Sequence, residues 1–289
     1  MPGGAGPRRH RDRRRGAALS REPTGPRDRG ATYIKRDPAA PPGFFAVEAA
    51  GLAWLAEAVD QGGVPVADPL AVSETSIELR RLSSVAPGPG AAEEFGRRLA
   101  ATHRAGADRH GCPPGDWTGS GFIGPLPLPH RPAGAEPLPW GRFFAEYRIA
   151  PFTRSARDAG TLTGAQAALI DRVCRRLSDG DEELTGPDAA PSRLHGDLWG
   201  GNVMWTPSGV VLIDPAAHGG HRESDLAMLA LFGLPLLDRV LAAYAEAWPL
   251  DDGWRDRVPL HQLFPLLVHT VLFAGGYGAR ALAAARGYA

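Results

Sequence analysis

The chain has 289 residues, which is enough for one large domain or for two lobes that share a cleft. Hydrophobic residues make up 43% of it, so a globular fold with a sizeable core is expected, and its 32 basic and 32 acidic residues cancel formally. This balance gives no reason to expect nucleic acid or a membrane as a partner. Cys112 and Cys174 fit no metal or disulfide framework. No apolar run resembles a signal peptide or a membrane span, so we expect a cytoplasmic protein.

The first thirty residues differ in composition from the rest of the chain. Residues 1–30 contain nine arginines and almost no large apolar side chain. Such a segment cannot bury enough apolar surface to offset the conformational entropy lost on ordering, so we predict that it is disordered. An arm that binds nucleic acid is the alternative.

Short strands and one helix are predicted next. Residues 31–35 carry the β-branched and aromatic side chains that are typical of a strand. Apolar residues from 44 to 59 recur with a helical period, and Gly62-Gly63 ends that helix. Residues 64–70 and 75–79 predict two further short strands. Together these elements predict a small nucleotide-binding lobe over residues 31–82.

Helical patterns dominate the remainder of the chain. The segments with a helical period are 91–105, 140–149, 164–177, 225–232, 236–248 and 261–273. A stretch rich in proline and glycine over 111–139 predicts a long irregular loop, and an apolar strand is predicted over 210–213. The sequence therefore predicts an α+β protein whose small strand-containing lobe is followed by a larger, mainly helical lobe over residues 83–289.

The segment from His195 to Asn202 has the residue types that phosphoryl transfer requires. Transfer from ATP needs metal ions on the phosphates and a carboxylate that orients the attacking hydroxyl and accepts its proton. Asp197 lies between glycines, and Asn202 follows five residues later, the offset found in protein kinases. Asp214 follows the apolar strand, and amide and carboxylate oxygens suit Mg²⁺. Turn formation explains an isolated His-Gly-Asp, but the combination predicts a kinase that uses ATP and Mg²⁺.

A lysine and a glutamate in the small lobe extend this prediction. Lys35 ends the first predicted strand, and Glu48 lies early in the next helix. In kinase-like folds such a pair holds the α- and β-phosphates, whereas two solvated surface residues are the alternative. Ile77, Glu78 and Leu79 end the last strand of the small lobe, where the chain should pass between lobes. We predict that their backbone groups bind adenine.

Two segments resemble the fructosamine/ketosamine-3-kinase family. One is Leu194–Asn202, with its His-Gly-Asp-Leu-Trp-Gly-Gly-Asn run. The other is Leu212–Met228, in which Asp-Pro-Ala precedes Gly-His-Arg-Glu-Ser-Asp-Leu-Ala-Met. General aminoglycoside and choline kinases usually lack this second run. Weaker matches at Phe45–Leu55, Trp140–Arg148 and His261–Tyr277 extend the resemblance over about residues 32–289, and it implies a bilobal protein-kinase-like fold.

The resemblance also implies an activity. It implies an ATP-dependent kinase that phosphorylates the 3-hydroxyl of a free or protein-bound ketosamine and thereby repairs glycated amines. By position it implies that Asp197 accepts the proton, that Asn202 and Asp214 bind Mg²⁺, and that Trp199 and His221 contact the sugar. A structural role is the alternative for the last two residues. We expect a monomer, and an aminoglycoside- or choline-type kinase and a nucleotide-binding pseudokinase stay open as alternatives.

One segment departs from the family. Its members carry a glycine-rich phosphate loop before the lysine strand, and such a loop binds phosphate through backbone N–H groups. Here Glu22–Ala31 contains only Gly25 and Gly30, and its prolines, Pro23 and Pro26, have no N–H to donate. This departure predicts weaker binding of ATP and motivates the pseudokinase alternative.

Overall fold

A computed structural model describes residues 32–289. A small sheet-containing lobe precedes a larger helical lobe, so the predicted α+β bilobal architecture is confirmed. The predictions for residues 1–30 and for the phosphate-loop segment Glu22–Ala31 lie outside the described residues. In the described part of the chain, no helix combines the length and the apolar composition that a membrane-spanning helix needs.

The small lobe is a three-stranded sheet covered by one helix. Its elements are β1 (Thr32–Arg36), α1 (Phe44–Ala56), β2 (Pro69–Ser73) and β3 (Ser76–Arg80). The strands are antiparallel in the order β1-β3-β2. Phe45 and Leu52 of α1 pack with Ile77 of β3 in an apolar core, because alternate strand residues and every third or fourth helix residue share a face. This packing fixes α1, and with it Glu48, against the sheet.

The strand predicted over residues 64–70 is wrong for most of its length. The strand begins only at Pro69. The residues before it bond to the larger lobe instead, because Leu212 N–H donates to Pro65 O at 2.9 Å and Ala67 N–H donates to Leu212 O at 2.8 Å. Apolar side chains alone could not distinguish this contact between lobes from a strand of the small sheet.

The larger lobe holds most of the helices. Its elements are α2 (Pro89–Arg104), β4 (Gly121–Ile123), β5 (Leu126–Leu128), α3 (Trp140–Phe143), which continues as a π-helix (Phe144–Ile149), α4 (Ala150–Asp158), α5 (Gly164–Ser178), α6 (Glu182–Thr185), β6 (Ser192–Leu194), β7 (Val203–Thr206), β8 (Gly209–Leu212), β9 (His218–Gly220), α7 (Arg222–Phe232), α8 (Leu237–Ala247), α9 (Trp254–His261), α10 (Leu263–Phe273) and α11 (Tyr277–Arg286). Antiparallel pairs join β4 with β5, β6 with β9, and β7 with β8.

Three features of this lobe differ from the prediction. The predicted loop over 111–139 contains the β4–β5 hairpin, whose turn uses Gly124 at φ 54°. The helix predicted over 261–273 begins only at Leu263, as α10, because α9 ends at His261. Helices α4, α6, α9 and α11 were not predicted. Pro151 lies in the first turn of α4, which follows the π-helix without a break, so its missing N–H removes one helical hydrogen bond there.

The close approach of α2 and α8 yields a first prediction. A Cβ on Gly96 of α2 would lie 2.2 Å from Val240 O and 2.9 Å from Tyr244 N of α8. We expect Gly96→Ala to lower the free energy of unfolding by about 2–3 kcal/mol, because the helices must separate. Gly90→Ala is the control, since a Cβ there meets nothing within 4 Å and helix propensity favours alanine by up to ~1 kcal/mol. Urea denaturation measures both variants, and equal effects would contradict the close-approach explanation.

Candidate active site

Residues 195–202 form a loop between β6 and β7 that ends in a 3₁₀ turn at Gly200–Asn202. Gly196 has φ 80°, and a Cβ there would lie 2.1 Å from Ala216 O, so only glycine fits. Within the loop, Trp199 N–H donates to Asp197 O, and Asn202 N–H donates to Trp199 O at 2.9 Å. These turns set Asp197 and Asn202 side by side.

Asp225 of α7 holds this loop from the interior. Its carboxylate accepts the backbone N–H groups of His195 at 2.8 Å and of Gly196 at 3.0 Å, and it lies 3.1 Å from His103 Nε2. Tyr244 Oη in turn lies 2.9 Å from His103 Nδ1. Burial on its own would raise the pKa of Asp225, but the contact with His103 and the backbone donors hold that pKa below its usual value. The sequence analysis did not single out Asp225 or His103.

Asp197 is partly buried beside Asn202. Asn202 Nδ2 donates to Asp197 Oδ2 at 3.1 Å. Burial raises the pKa of Asp197 to about 7; the bond from Asn202 opposes this shift, and the nearby carboxylates of Asp214 and Asp225 add to it. A carboxyl group with a pKa near neutrality is suited to accept a proton during a reaction.

Lys35 lies between two carboxylates. Its Nζ is 2.8 Å from Glu48 Oε2 and 3.4 Å from Asp214 Oδ1, and both Lys35 and Glu48 are buried. Burial lowers the pKa of Lys35, but the two carboxylates outweigh burial and raise it overall. Burial also raises the pKa of Glu48, against the attraction of Lys35. The structure thus brings together the two residues that the sequence analysis paired, and it presents a cation to the cleft.

Asp214 and Asn202 offer oxygen atoms next to this cation. Asp214 follows β8 with φ 53°, a left-handed conformation that is strained for a residue with a side chain. Its side chain is 34% exposed. Asn202 Nδ2 also donates to Asp197 O at 2.8 Å, so the amide oxygen of Asn202 is the atom left for a ligand. Carboxylate and amide oxygens are the ligands that Mg²⁺ prefers, and these residues fit such an ion.

A cleft of about 220 Å³ joins these groups. It is lined by Lys35, Phe44, Val47, Glu48, Phe122, Gly124, Asp197, Trp199, Asn202, Asp214, Pro215 and Ala216. The ring of Trp199 is 42% exposed, although large apolar side chains are usually covered. Phe44 and Phe122 lie with ring centroids 5.3 Å apart. Aromatic faces and charged groups therefore border the same space.

His221 does not line this cleft. It is only 3% exposed, and its Nδ1 accepts the Glu223 N–H at 3.2 Å at the start of α7. Its ring centroid lies 5.0 Å from that of Trp140 and 5.2 Å from that of His261. The predicted contact with a sugar is therefore wrong for His221, and the structural alternative is correct.

The predicted adenine-binding segment must also be corrected. Ile77, Glu78 and Leu79 lie in β3, the central strand, where each pairs with β1 on one side and β2 on the other. Their backbone groups are therefore taken up by pairing with the neighbouring strands and do not bind adenine. Only the side chain of Leu79 borders a second cleft, of about 200 Å³, which is also lined by Tyr33, Ala67, Arg80, Arg81, Leu82, Gly201, Met204, Ile213 and Asp214. The connection between lobes that borders this cleft begins after Arg80, at Arg81.

A buried cluster behind the loop could suggest a metal site. His221, Glu223 and His261 place potential ligand atoms within 4.8 Å of one another. However, Arg257 donates to both carboxylate oxygens of Glu223, at 2.6 and 2.9 Å. Burial opposes ionisation of Glu223, but the nearby His261 and the hydrogen bonds from Arg257 lower its pKa to about 2. The carboxylate is thus already neutralised, and the cluster is explained as structural.

Comparison with known proteins identifies the family. The sequence profile of the fructosamine kinase family matches residues 16–286. The chain belongs to the fructosamine kinase family. A Thermus thermophilus relative, named as a probable ketoamine kinase, is 35% identical over 249 residues, which cover 86% of this chain and 84% of that protein. The family resemblance seen in the sequence is confirmed.

Solved structures support the fold of this fructosamine kinase family member. A crystal structure from Thermobifida fusca, assigned by name to fructosamine-3-kinase, has a TM-score of 0.82 and 43% identity, and the match covers 94% of this chain and 93% of that one. A choline kinase of Streptococcus pneumoniae has a TM-score of 0.59 at 13% identity over 93% of each chain, which shows the shared fold alone. The predicted protein-kinase-like fold is confirmed.

The contacts of Asp225 yield a second prediction. Asp225→Asn should lower the free energy of unfolding by about 2–4 kcal/mol, because an amide group cannot accept at both of its heavy atoms and leaves a buried N–H unpaired. The native pKa of Asp225 is lowered, so its ionisation stabilises the fold near neutral pH and this stabilisation is lost as the pH falls through that pKa. The variant should therefore lose less stability on acidification than the wild type. Thermal unfolding at several pH values measures both effects, with Asp238→Asn on the exposed face of α8 as the neutral control.

Proposed function

We propose that the protein is an ATP-dependent, Mg²⁺-requiring kinase that phosphorylates the 3-hydroxyl of a ketosamine and so takes part in the repair of glycated amines. The observation that carries this proposal is the meeting of Asp197, the Lys35–Glu48 pair, and the oxygens of Asn202 and Asp214 around one cleft, in a chain of the fructosamine kinase family. Each group has a role that phosphoryl transfer requires.

The reaction assigns one task to each residue. The acceptor hydroxyl oxygen bonds to the γ-phosphorus of ATP and gives its proton to Asp197, while the bond from the γ-phosphorus to the leaving oxygen of ADP breaks. Lys35, oriented by Glu48 at 2.8 Å, binds the α- and β-phosphates. Mg²⁺, when held by Asn202 and Asp214, neutralises negative charge on the phosphates. The products are ADP and a ketosamine 3-phosphate.

The adenine site follows from the second cleft. We place the base between Tyr33 and Ala67 on the small-lobe side and Met204 on the large-lobe side, because these side chains line the cleft that Asp214 also borders. Apolar and aromatic faces of this kind can cover a planar ring. Arg81 and Leu82, which follow β3, then replace Ile77–Leu79 as the backbone that meets the edge of the base.

We place the acceptor in the cleft that Asp197 lines. Trp199 offers a flat exposed ring there, and Phe122 of the β4–β5 hairpin borders the same cleft. A sugar presents C–H groups that pack on such faces, while its hydroxyl groups reach Asp197. The proposed substrate is a small or protein-bound ketosamine, and the proposed setting is the cytoplasm, where the enzyme acts as a monomer.

An aminoglycoside kinase fits the structure less well. An acidic groove of about 860 Å³ suits a polycation, and its carboxylates come from Asp179, Glu182, Glu183, Asp188, Asp252 and Asp256. This groove shares no lining residue with the cleft that contains Asp197. A polycation bound there would not present a hydroxyl group to Asp197, so the groove does not support this second activity.

Asp197→Asn tests the proposed function. The amide cannot accept the proton of the acceptor hydroxyl, so kcat should fall by about 10²–10⁴-fold. KM for ATP and the thermal midpoint should change little, because Asp197 binds neither phosphate nor the core. Coupled ADP release would be measured with fructosamine, ribulosamine, an aminoglycoside and choline as acceptors. Wild-type turnover of an aminoglycoside or choline but of neither ketosamine would reject the proposal, and binding of Mg-ATP without turnover of any acceptor would indicate a pseudokinase.

A further inference from the structure

Arg148 is a buried cation that the proposed reaction does not use. It lies in the π-helix after α3 and is 1% exposed. No carboxylate lies within ion-pair distance of it among residues 32–289. Burial lowers the pKa of Arg148 to about 9, so its guanidinium is still charged at neutral pH. Burying an unpaired charge is costly, so this side chain needs an explanation.

Neutral groups take up the N–H donors of its Nε and Nη1, while Nη2 has no hydrogen-bond partner among the described residues. Arg148 Nη1 donates to Pro129 O at 2.7 Å and to Tyr147 O at 3.0 Å, and its carbon Cζ lies 4.8 Å from the ring centre of Phe143. Arg148 Nε donates to His218 Nε2 at 3.4 Å. The guanidinium therefore joins the π-helix to the residue that begins β9.

This contact fixes the tautomer of His218. A guanidinium has only donors, so His218 Nε2 must be the unprotonated nitrogen and Nδ1 must carry the proton. Burial, reinforced by the charge of Arg148, lowers the pKa of His218 well below its usual value, so the ring is neutral. His218 Nδ1 then donates to Ala216 O at 2.8 Å. Only this tautomer satisfies both bonds.

Ala216 is the link to the proposed metal site. Its N–H donates to His195 O at 3.0 Å and its carbonyl accepts from His218, so both backbone groups are held. Asp214 stands two residues earlier with φ 53°, and such a conformation persists only where the surroundings hold it. The same carbonyl of Ala216 leaves no room for a Cβ on Gly196 of the 195–202 loop.

We propose that Arg148 is a positioning residue for the metal ligand Asp214, acting through His218 and the backbone of Ala216. The inference rests on the proposed function in one respect, the assignment of Asp214 as a ligand of Mg²⁺. It extends that function to two buried residues that touch neither nucleotide nor acceptor.

Arg148→Met tests the inference through metal binding. With ADP present, Mn²⁺ affinity measured by electron paramagnetic resonance should fall by about 10-fold, the usual scale for losing a residue that orients a ligand. The Mg²⁺ concentration for half-maximal activity should rise to a similar extent, while KM for the ketosamine stays within about 2-fold, because the acceptor side of the cleft is untouched. Should Arg148→Met fold poorly, Arg148→Lys keeps the charge without the planar donor to His218 and should weaken Mn²⁺ binding by about 3-fold.

A double variant distinguishes positioning from general destabilisation. In His218→Asn the amide N–H can donate to Ala216 O without any choice of tautomer. Adding Arg148→Met to this variant should therefore weaken Mn²⁺ binding much less than it does in the wild type. Additive losses would overturn the proposed route through His218.

Arg131→Met is the matched control. Arg131 is also buried, at 3% exposed, and donates to the backbone oxygens of His110 and Glu136 without contacting His218. The Arg131→Met variant should have a lower thermal midpoint and an unchanged Mn²⁺ affinity. The inference would be overturned if Arg131→Met lost as much Mn²⁺ affinity as Arg148→Met, or if Arg148→Met lost none. A wild type that binds Mn²⁺ with ADP but phosphorylates no ketosamine would reject the proposed acceptor alone, and the Mn²⁺ series would still decide the role of Arg148.

Discussion

The site depends on the buried carboxylate of Asp225. Two backbone N–H groups of the 195–202 loop and His103 of α2 surround it at 2.8 to 3.1 Å. Burying a carboxylate costs several kcal/mol. The three short charge-assisted contacts of Asp225 offset that cost only when all three are present. The position of Asp197 is therefore set by how α2, α7 and α8 pack inside the larger lobe, and the close contact at Gly96 belongs to the same arrangement.

The two lobes meet electrostatically at Lys35. Glu48 binds it within the small lobe at 2.8 Å, and Asp214 approaches it from the larger lobe at 3.4 Å. The Lys35–Glu48 pair is shorter and more buried, so it fixes the position of the lysine. Asp214 is partly exposed, so its carboxylate stays accessible to an ion as well. In the proposed function, phosphate groups entering between the lobes would take the place of Asp214 beside Lys35. Nucleotide and metal would then favour the same separation of these two side chains.

Sequence predicted the groups whose partners are near in the chain or follow a known spacing. Lys35 and Glu48 lie thirteen residues apart, and Asp197 and Asn202 five, and the fold brings both pairs together. His103 and Asp225 are 122 residues apart and Arg148 and His218 are 70 apart, so no local pattern could join them. The adenine-binding prediction failed because apolar alternation cannot show where a strand ends, and β3 runs on to Arg80. Likewise, the sequence around His221 gave no sign that its ring turns inward.

Within the Leu212–Met228 run that most sharply resembles the family, the part from His218 to Asp225 is an internal framework. His218 bonds to Ala216 O, His221 caps α7, Glu223 binds Arg257, and Asp225 anchors the 195–202 loop. All four side chains are nearly completely buried, and none lines the cleft of Asp197. This part of the run therefore specifies how the site is held and says nothing direct about the acceptor. In the proposed function, selectivity among acceptors would instead come from the exposed faces of the cleft, chiefly Trp199 and Phe122. Because Phe122 lies on a hairpin, substitutions there can alter the acceptor without disturbing the framework.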